Sequence, residues 1–284
     1  APPPTSGACS PVRILGNTTF SSAPLPVTGT VTKSGAPNGW NPGSPWGTYG
    51  GNYTFRWTFA QPIPADWIEF AVADVGAEEY RTTPARITIS VAGGTASVAD
   101  FSLVPGWRSD AWGQMLWSGS TGVLSFDPSG DVKQAGALRG NSTRTLTSIT
   151  ITTSNVVSGD HIANLLFARP ACLTVSKVSE EGTGSFQIDM TNVVQANGTA
   201  VANTTLTTTE AGTPVASPAY NSVPGRDLVL SEVVPTDWSA ESAVCTDQNA
   251  GNTGNPTVIG SFTSPVITIP AANVRPQSDI RCLF

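Results

Sequence analysis

Short segments in which apolar and polar residues alternate recur along most of this chain. Alternation with a period of two places apolar side chains on one face of a β-strand, whereas a helix needs a period near 3.6. The clearest examples in the first half are Tyr53–Phe59, Trp67–Val72, Arg86–Val91, Gly122–Phe126 and Ser148–Thr152. Turn signals rich in Gly, Pro and Asn separate these segments, and no convincing amphipathic helix accompanies them. The sequence therefore predicts an all-β protein.

Length and composition both indicate two domains. At 284 residues the chain is longer than one β-sandwich usually needs, and each half can bury a core of its own. Seven of the eight Trp lie between Trp40 and Trp117, and a Thr- and Val-rich region begins after Cys172. We expect one domain over residues 1–170 and another over residues 171–284. The strands predicted in the second domain are Leu173–Lys177, Gly184–Asp189, Leu228–Glu232, Ala240–Thr246, Pro265–Ile269 and Asp279–Phe284.

The chain has four cysteines, and none of them shares a close C-x-x-C spacing with another. An even number without metal-binding spacing is typical of disulfides in an oxidising compartment. Three pairings are open. We expect Cys245 to bond Cys282, because both lie in predicted strands of the same small domain, and Cys9 to bond Cys172 at the end of the first domain.

Low charge limits the partners of this protein. Charged residues form 12% of the chain, about half the share usual in soluble proteins. The fourteen Lys and Arg are scattered and outnumbered by twenty Asp and Glu, so no basic surface for nucleic acid is expected. No run approaches the roughly 20 apolar residues of a membrane-spanning helix. Because the sequence opens on Ala1 and three prolines, as a mature end left by signal peptidase would, we expect a secreted, extracellular or cell-surface protein.

Five segments of the second domain together resemble a known family. In chain order they are Cys172–Val178, Gly182–Ile188, Asp227–Trp238, Ala243–Thr246 and Ile280–Phe284. They resemble the prealbumin-like domains, of the SpaA or CnaB type, of bacterial surface proteins. In that family a strand of pattern apolar-x-apolar-x-Glu precedes a Pro-x-x-aromatic turn, and Glu232 and Trp238 occupy those positions here. The resemblance implies a transthyretin-like β-sandwich and a place in bacterial stalks or fibres.

Some members of that family form an internal isopeptide bond between a Lys and an Asn, while a nearby carboxylic acid shuttles protons. The resemblance assigns the Lys position to Lys177 and the acid position to Glu232. The Asn position, near the end of the last strand, reads Arg281–Phe284 and holds no Asn. We therefore expect no internal isopeptide bond, with Lys177 a solvated strand lysine and Glu232 a structural cap or ion-pair acid.

The first domain resembles the jelly-roll domains of secreted bacterial proteins. The resemblance rests on residues 159–167, a polar turn before a closing apolar strand, and on Phe59–Pro64 followed by Ile68–Asp74. It implies a jelly-roll β-sandwich, with an immunoglobulin-like sandwich as the alternative.

Aromatic residues in predicted loops are candidates for a contact surface. Carbohydrate-binding jelly rolls stack exposed rings on sugar faces, and packing between subunits would use the same kind of surface. The candidates for glycan or subunit contact are Trp40, Trp46, Tyr49, Trp107 and Trp112.

The sequence predicts no cofactor, and structural calcium is the one addition for which it supplies ligands. Carboxylates suit calcium, but none of these acids has the spacing of a calcium loop. The acids concerned are Asp66, Asp74, Glu78, Glu79 and Asp160.

No catalytic arrangement is apparent in the sequence. The one histidine, His161, lies beside Asp160 in a predicted turn, and no Gly-x-Ser-x-Gly elbow occurs. We therefore predict a non-enzymatic protein. Two functions remain: a structural subunit of an extracellular filament, sheath or adhesin stalk that packs non-covalently against copies of itself, and a monomeric carbohydrate-binding surface module. We prefer the first, because the final strand, Asp279–Phe284, is expected to leave a sheet edge free for another copy.

Overall fold

The computed structural model describes residues 9, 12–13, 19–22, 27–34, 54–76, 86–104, 113–125, 127, 133–154 and 163–284. Over these residues the chain is almost entirely β-strand, which confirms the predicted fold class. The described helices are one α-helix at Ala250–Thr253 and 3-10 turns at Ala65–Trp67, Val98–Asp100 and Ala271–Asn273. None of them is long and apolar enough to cross a membrane. The chain forms two compact units that divide between Ala168 and Arg169, and Cys9 belongs to the second.

The N-terminal unit is built from thirteen described strands. They are β1 (Val12–Arg13), β2 (Thr19–Ser22), β3 (Val27–Ser34), β4 (Thr54–Pro64), β5 (Ile68–Gly76), β6 (Arg86–Ala92), β7 (Phe101–Leu103), β8 (Gly113–Gln114), β9 (Leu116–Ser118), β10 (Val123–Ser125), β11 (Lys133–Gly140), β12 (Thr145–Ser154) and β13 (Ala163–Ala168).

These strands form two sheets, and their order is that of a jelly roll. One sheet runs β1-β13-β5-β11-β7, with β8 beside β11, and the other runs β2-β3-β4-β12-β6-β10-β9. Strands β10 to β13 alternate between the two sheets along the chain, as do β4 to β6. The groups β1-β13-β5-β11 and β4-β12-β6-β10 are the two four-stranded sheets of a jelly roll. The predicted jelly-roll-like sandwich is therefore confirmed.

The inner faces of the two sheets supply the core of this unit. Along β4 the buried residues are Phe55, Trp57, Phe59 and Ile63, and the first three follow the alternation that predicted the strand. The sheets approach closely at Gly136 in β11, where an added Cβ would lie 2.9 Å from Cδ2 of Leu124 in β10. Glycine at this position allows the two layers to meet without a steric clash.

The C-terminal unit is described without a gap from Arg169 to Phe284. Its strands are β14 (Ala171–Lys177), β15 (Ser185–Thr191), β16 (Val193–Val194), β17 (Asn203–Thr207), β18 (Val215–Ala216), β19 (Tyr220–Ser222), β20 (Leu228–Val233), β21 (Val244–Asp247), β22 (Val258–Ile259), β23 (Ser261–Thr263), β24 (Val266–Ile269) and β25 (Asp279–Leu283). One sheet runs β16-β19-β14-β25-β21-β22, with β18 beside β14, and the other runs β17-β15-β20-β24-β23.

The position of the last strand corrects one expectation. Strand β25 pairs in parallel with β14 on one side and antiparallel with β21 on the other, so it lies inside its sheet. The expectation that the final segment leaves an edge free for another copy was wrong, because both of its hydrogen-bonding sides are occupied. In this unit the terminal strands of the two sheets are β16, β22, β17 and β23; β18 lies beside β14 and is also an outer strand, and β16 makes a further bridge from Val194 to Ala200.

Candidate functional site: a buried lysine–glutamate pair

Strand periodicity places one lysine and one glutamate inside the C-terminal sandwich. Along β14 the buried positions are every second residue from Ala171, and Lys177 is the last of them. Along β20 the buried positions are Leu228, Leu230 and Glu232. Both charged residues therefore lie on the core face at the ends of their strands, on opposite sheets of the sandwich.

The two charged groups form a close ion pair. The Lys177 Nζ donates a hydrogen bond to Oε2 of Glu232 at 3.1 Å and lies 2.9 Å from Oε1. The Lys177 side chain is 8% exposed and the Glu232 side chain is 1% exposed. Such a pair is stable only when both charges are present, because either one alone would be buried without compensation.

Two aromatic rings cover the ion pair. The Lys177 ammonium lies 4.7 Å from the centroid of the Phe186 ring, a cation–π distance. Trp238 packs edge-on against Phe186 with ring centroids 4.9 Å apart. An added Cβ on Gly184 would lie 3.2 Å from the Phe186 ring and 3.6 Å from the Trp238 ring, so a small residue suits this close packing. Trp238, which the family resemblance selected, therefore has a packing role beside the pair.

The residue that follows β25, beside Lys177, has an apolar side chain. The parallel register pairs Ser176 with Leu283, and Phe284 donates its N–H to the Ser176 carbonyl at 3.0 Å. The Val178 N–H donates to the Phe284 carbonyl at 2.8 Å. Phe284 is buried, and its side chain has no carbonyl carbon that an amine could attack. We call Lys177, Glu232, Phe186, Trp238 and Phe284 the Lys177 site.

The structure corrects the expected environment of Lys177. It is buried and paired, so its interpretation as a solvated strand lysine was wrong, whereas an ion-pair acid describes Glu232 well. The strand pattern could have predicted this burial, since Lys177 lies on the same face of β14 as the inward-facing Leu173 and Val175.

An open pocket of about 440 Å³ adjoins the Lys177 site. Lys177, Trp238 and Phe284 contribute to its wall. The other charged residues in its lining are exposed carboxylates: Glu180, Glu181, Asp237 and Glu241. Because no exposed base balances these acids within the lining, the pocket disfavours anions.

Two disulfides strengthen the same unit. Cys245 and Cys282 are register partners on β21 and β25 and are bonded to each other. Cys9 is bonded to Cys172 in β14, and its N–H donates to Oδ1 of Asn221 at 2.7 Å. Cys172 lies on β14 and Cys282 lies on β25, so each disulfide is attached to one of the two parallel strands at the centre of this sheet.

A second buried carboxylate, Asp247, organises the loops between β21 and β25. Its Oδ1 accepts the N–H groups of Asn249 and Asp279 at 2.9 and 3.0 Å, and its Oδ2 accepts the Thr253 hydroxyl and the Asn255 amide at 2.6 and 2.9 Å. Burial raises the pKa of Asp247, but these hydrogen bonds together hold that pKa below its ordinary value. The sequence reasoning missed this site, although the run of Asp, Asn and Thr side chains from Asp247 to Asn255 was a signal.

Several predicted site residues lie outside the residues that the structure describes. These are the contact candidates Trp40, Trp46, Tyr49, Trp107 and Trp112, together with Glu78, Glu79, Asp160 and His161. Of the remaining acids considered for calcium, Asp66 lies in a 3-10 turn and Asp74 lies in β5. Within the described ranges, no three His, Cys, Asp or Glu side chains meet in a group that could hold a metal ion.

One comparison with known proteins, the family model, agrees with the architecture of the C-terminal unit. Residues 173–284 match the family model of a prealbumin-like fold domain, which confirms the resemblance seen in the sequence. Among solved structures, the chain is similar to BcpA, the major pilin subunit of Bacillus cereus, at 12% identity over 90% of this chain and 70% of that chain, with a TM-score of 0.20. A variant of the same subunit matches at 12% identity over 96% of this chain and 76% of that chain, with a TM-score of 0.21. TM-scores this low do not establish a shared overall fold. No curated protein shows significant similarity to the chain.

Proposed function

We propose that this protein, whose C-terminal unit is a prealbumin-like domain, is a secreted structural subunit of a bacterial extracellular filament, sheath or adhesin stalk. In this proposal the copies are held together by non-covalent packing and the protein is not an enzyme. Two disulfides suit an oxidising environment outside the cell, and a chain with 12% charged residues offers extensive neutral surface for packing.

The observation that carries the proposal is the parallel pairing of β14 with β25. The two strands are in register from Cys172–Asp279 to Ser176–Leu283. A pulling force applied between Ala171 and Phe284 would act along this ladder in shear, so that several hydrogen bonds resist it together. A domain in a stalk or fibre experiences this kind of force along its length.

Two side-chain interactions of the unit connect the strands that carry this force to neighbouring strands. The Lys177–Glu232 pair links β14 to β20 across the sandwich, and Cys245–Cys282 links β21 to β25. These interactions serve cohesion and leave no reactive group exposed. They support a mechanical role better than a catalytic one.

The Lys177 site also supports assembly without isopeptide bonds. Lys177 is engaged by Glu232, and the neighbouring residue, directly after β25, is Phe284. An internal amide between Lys177 and the Asn position of the family would require a carboxamide carbon as acceptor and would release ammonia. The site offers packing and an ion pair in place of that acceptor.

The proposal is tested by the size of the purified chain in solution and after denaturation. Sedimentation velocity over a concentration series should show large assemblies, which denaturant with reductant should return to single chains of the mass calculated from the sequence. A species lighter by one ammonia or one water would contradict the absence of isopeptide bonds. A strict monomer at every concentration that binds a glycan array tightly would favour the carbohydrate-binding alternative.

A further inference from the structure

Strand β17 is the longest free sheet edge of the C-terminal unit. It has five residues, Asn203–Thr207, whereas the other outer strands β16, β18, β22 and β23 have two or three. Its one strand partner is β15, and the pairing runs from Ser185–Thr207 to Asp189–Asn203 without a shift in register. Because it has no bulge, one side of β17 presents a straight row of backbone groups.

The direction of each backbone group in β17 follows from the hydrogen bonds at its two ends. The Thr208 N–H donates to the Gly184 carbonyl at 2.9 Å, and the Met190 N–H donates to the Ala202 carbonyl at 2.7 Å. In an antiparallel ladder hydrogen-bonded pairs alternate with non-bonded pairs, so Thr204 and Leu206 also bond β15. The N–H and C=O groups of Asn203, Thr205 and Thr207 therefore point away from the sheet.

The side chains of this edge do not protect it. Natural edge strands are usually guarded by Lys, Pro or a bulge that blocks pairing with another chain. From Gly198 to Thr209 the chain holds no charged residue and no proline. Asn203, Thr205 and Thr207 are exposed, while Leu206 is buried and anchors the strand to the core. The edge is thus firmly held, uncharged and open to a further strand.

We propose that β17 pairs antiparallel with β17 of a second copy of this chain, about a two-fold axis at Thr205. The choice of a second copy as the partner rests on the proposed function, and it is favoured because each copy then uses its longest edge. Thr205 faces the partner's Thr205, and Asn203 faces the partner's Thr207. These are the residues whose backbone groups point outward, so each of the three facing pairs can exchange two hydrogen bonds.

This pairing joins two five-stranded sheets into one ten-stranded sheet. Neutral Thr and Asn side chains meet across the new ladder, so no like charges oppose each other. Because the contact is the same on both copies, it closes a dimer, and a filament would need a further surface. Dimer formation and filament formation are therefore separable observations.

The test compares Thr205→Pro with Thr205→Ala in the full-length protein. Proline removes the outward N–H of residue 205, and this N–H does not bond β15, so the fold should be retained. The symmetric dimer loses two hydrogen bonds, which should weaken it by about 30-fold in sedimentation equilibrium. Thr205→Ala keeps the N–H and should stay within about threefold of the parent. Thr205→Lys, which adds a guarding charge, should also favour the monomer.

Amide hydrogen exchange tests the same contact without any substitution. On raising the protein concentration, exchange at Asn203, Thr205 and Thr207 should slow, whereas exchange at Thr204 and Leu206 should be slow throughout. Self-association that leaves the three outward amides fast, or that Thr205→Pro does not weaken, would overturn the edge pairing while the filament proposal stands. Dimers that never form filaments would support the pairing and contradict the filament, and a wild-type chain that stays monomeric would overturn both.

Discussion

Replacing Lys177 with methionine leaves the Glu232 carboxylate buried without its counter-ion. Glu232 is 1% exposed and lies 2.9 and 3.1 Å from the Lys177 Nζ, so the substitution removes the charged partner of a buried carboxylate. Removing one partner of a buried pair typically costs about 3–5 kcal/mol of unfolding free energy. At about 4 °C per kcal/mol for a domain of this size, the melting temperature of the C-terminal unit should fall by about 12–20 °C.

The assay is differential scanning calorimetry with the disulfides intact, supported by amide exchange in β14 and β20 to identify the unit that melts. Arg281→Met is the matched control, because the Arg281 side chain is 62% exposed and its 3.0 Å pair with Asp279 is a surface contact. That control should cost less than about 1 kcal/mol. Lys177→Met with Glu232→Leu removes both charges and should recover most of the loss. A Lys177→Met variant that melts like the control would refute the buried-pair interpretation.

Three further predictions concern a disulfide, a buried carboxylate and a close contact between two sheets. Replacing both Cys245 and Cys282 with alanine opens a loop whose ends are 37 residues apart, and should lower the unfolding free energy by about 4 kcal/mol in chemical denaturation. The pKa of Asp247 is lower in the folded protein than in the unfolded chain. The ionised carboxylate therefore adds to the free energy of unfolding above the unfolded pKa of about 3.9, and this stability is lost as pH falls through the lower folded pKa. Asp247→Asn should therefore destabilise the protein at pH 7 and flatten the acid side of its stability profile, and an unchanged profile would count against this role. Gly136→Val should cost about 1–3 kcal/mol by overpacking against Leu124, whereas a neutral result would mean that the two sheets separate easily.

The alternating pattern predicted about half of the described strands, because alternation reflects a purely local rule. Residues 54–59 of the segment predicted at Tyr53–Phe59 lie in β4, and Leu228–Glu232 lies in β20. Strand β17 was not predicted, since Leu206 is its one apolar residue and a run of Thr gives no contrast between its faces. Pairing with β15 holds β17 in place, and a short segment of sequence does not show which strands will pair.

The Lys177 site was predictable in part, because the alternation of residues along a strand is a local rule. Family resemblance selected Lys177 and Glu232, and strand parity placed both on the core face, but a lysine is so seldom buried that solvent was the expected environment. The place of β25 inside its sheet depends on parallel pairing with β14, more than a hundred residues earlier in the chain. The Asp247 cluster likewise forms only when the loop after β21 folds back towards Asp279.

Electron microscopy of the native material is the most direct test of the central claim, that this chain builds an extracellular structure from copies of itself. The account predicts filaments, sheaths or stalks with one repeating subunit, whose density accommodates the two β-sandwich units of this chain. Native material that contains the chain as dispersed single molecules, with no repeating assembly, would contradict it.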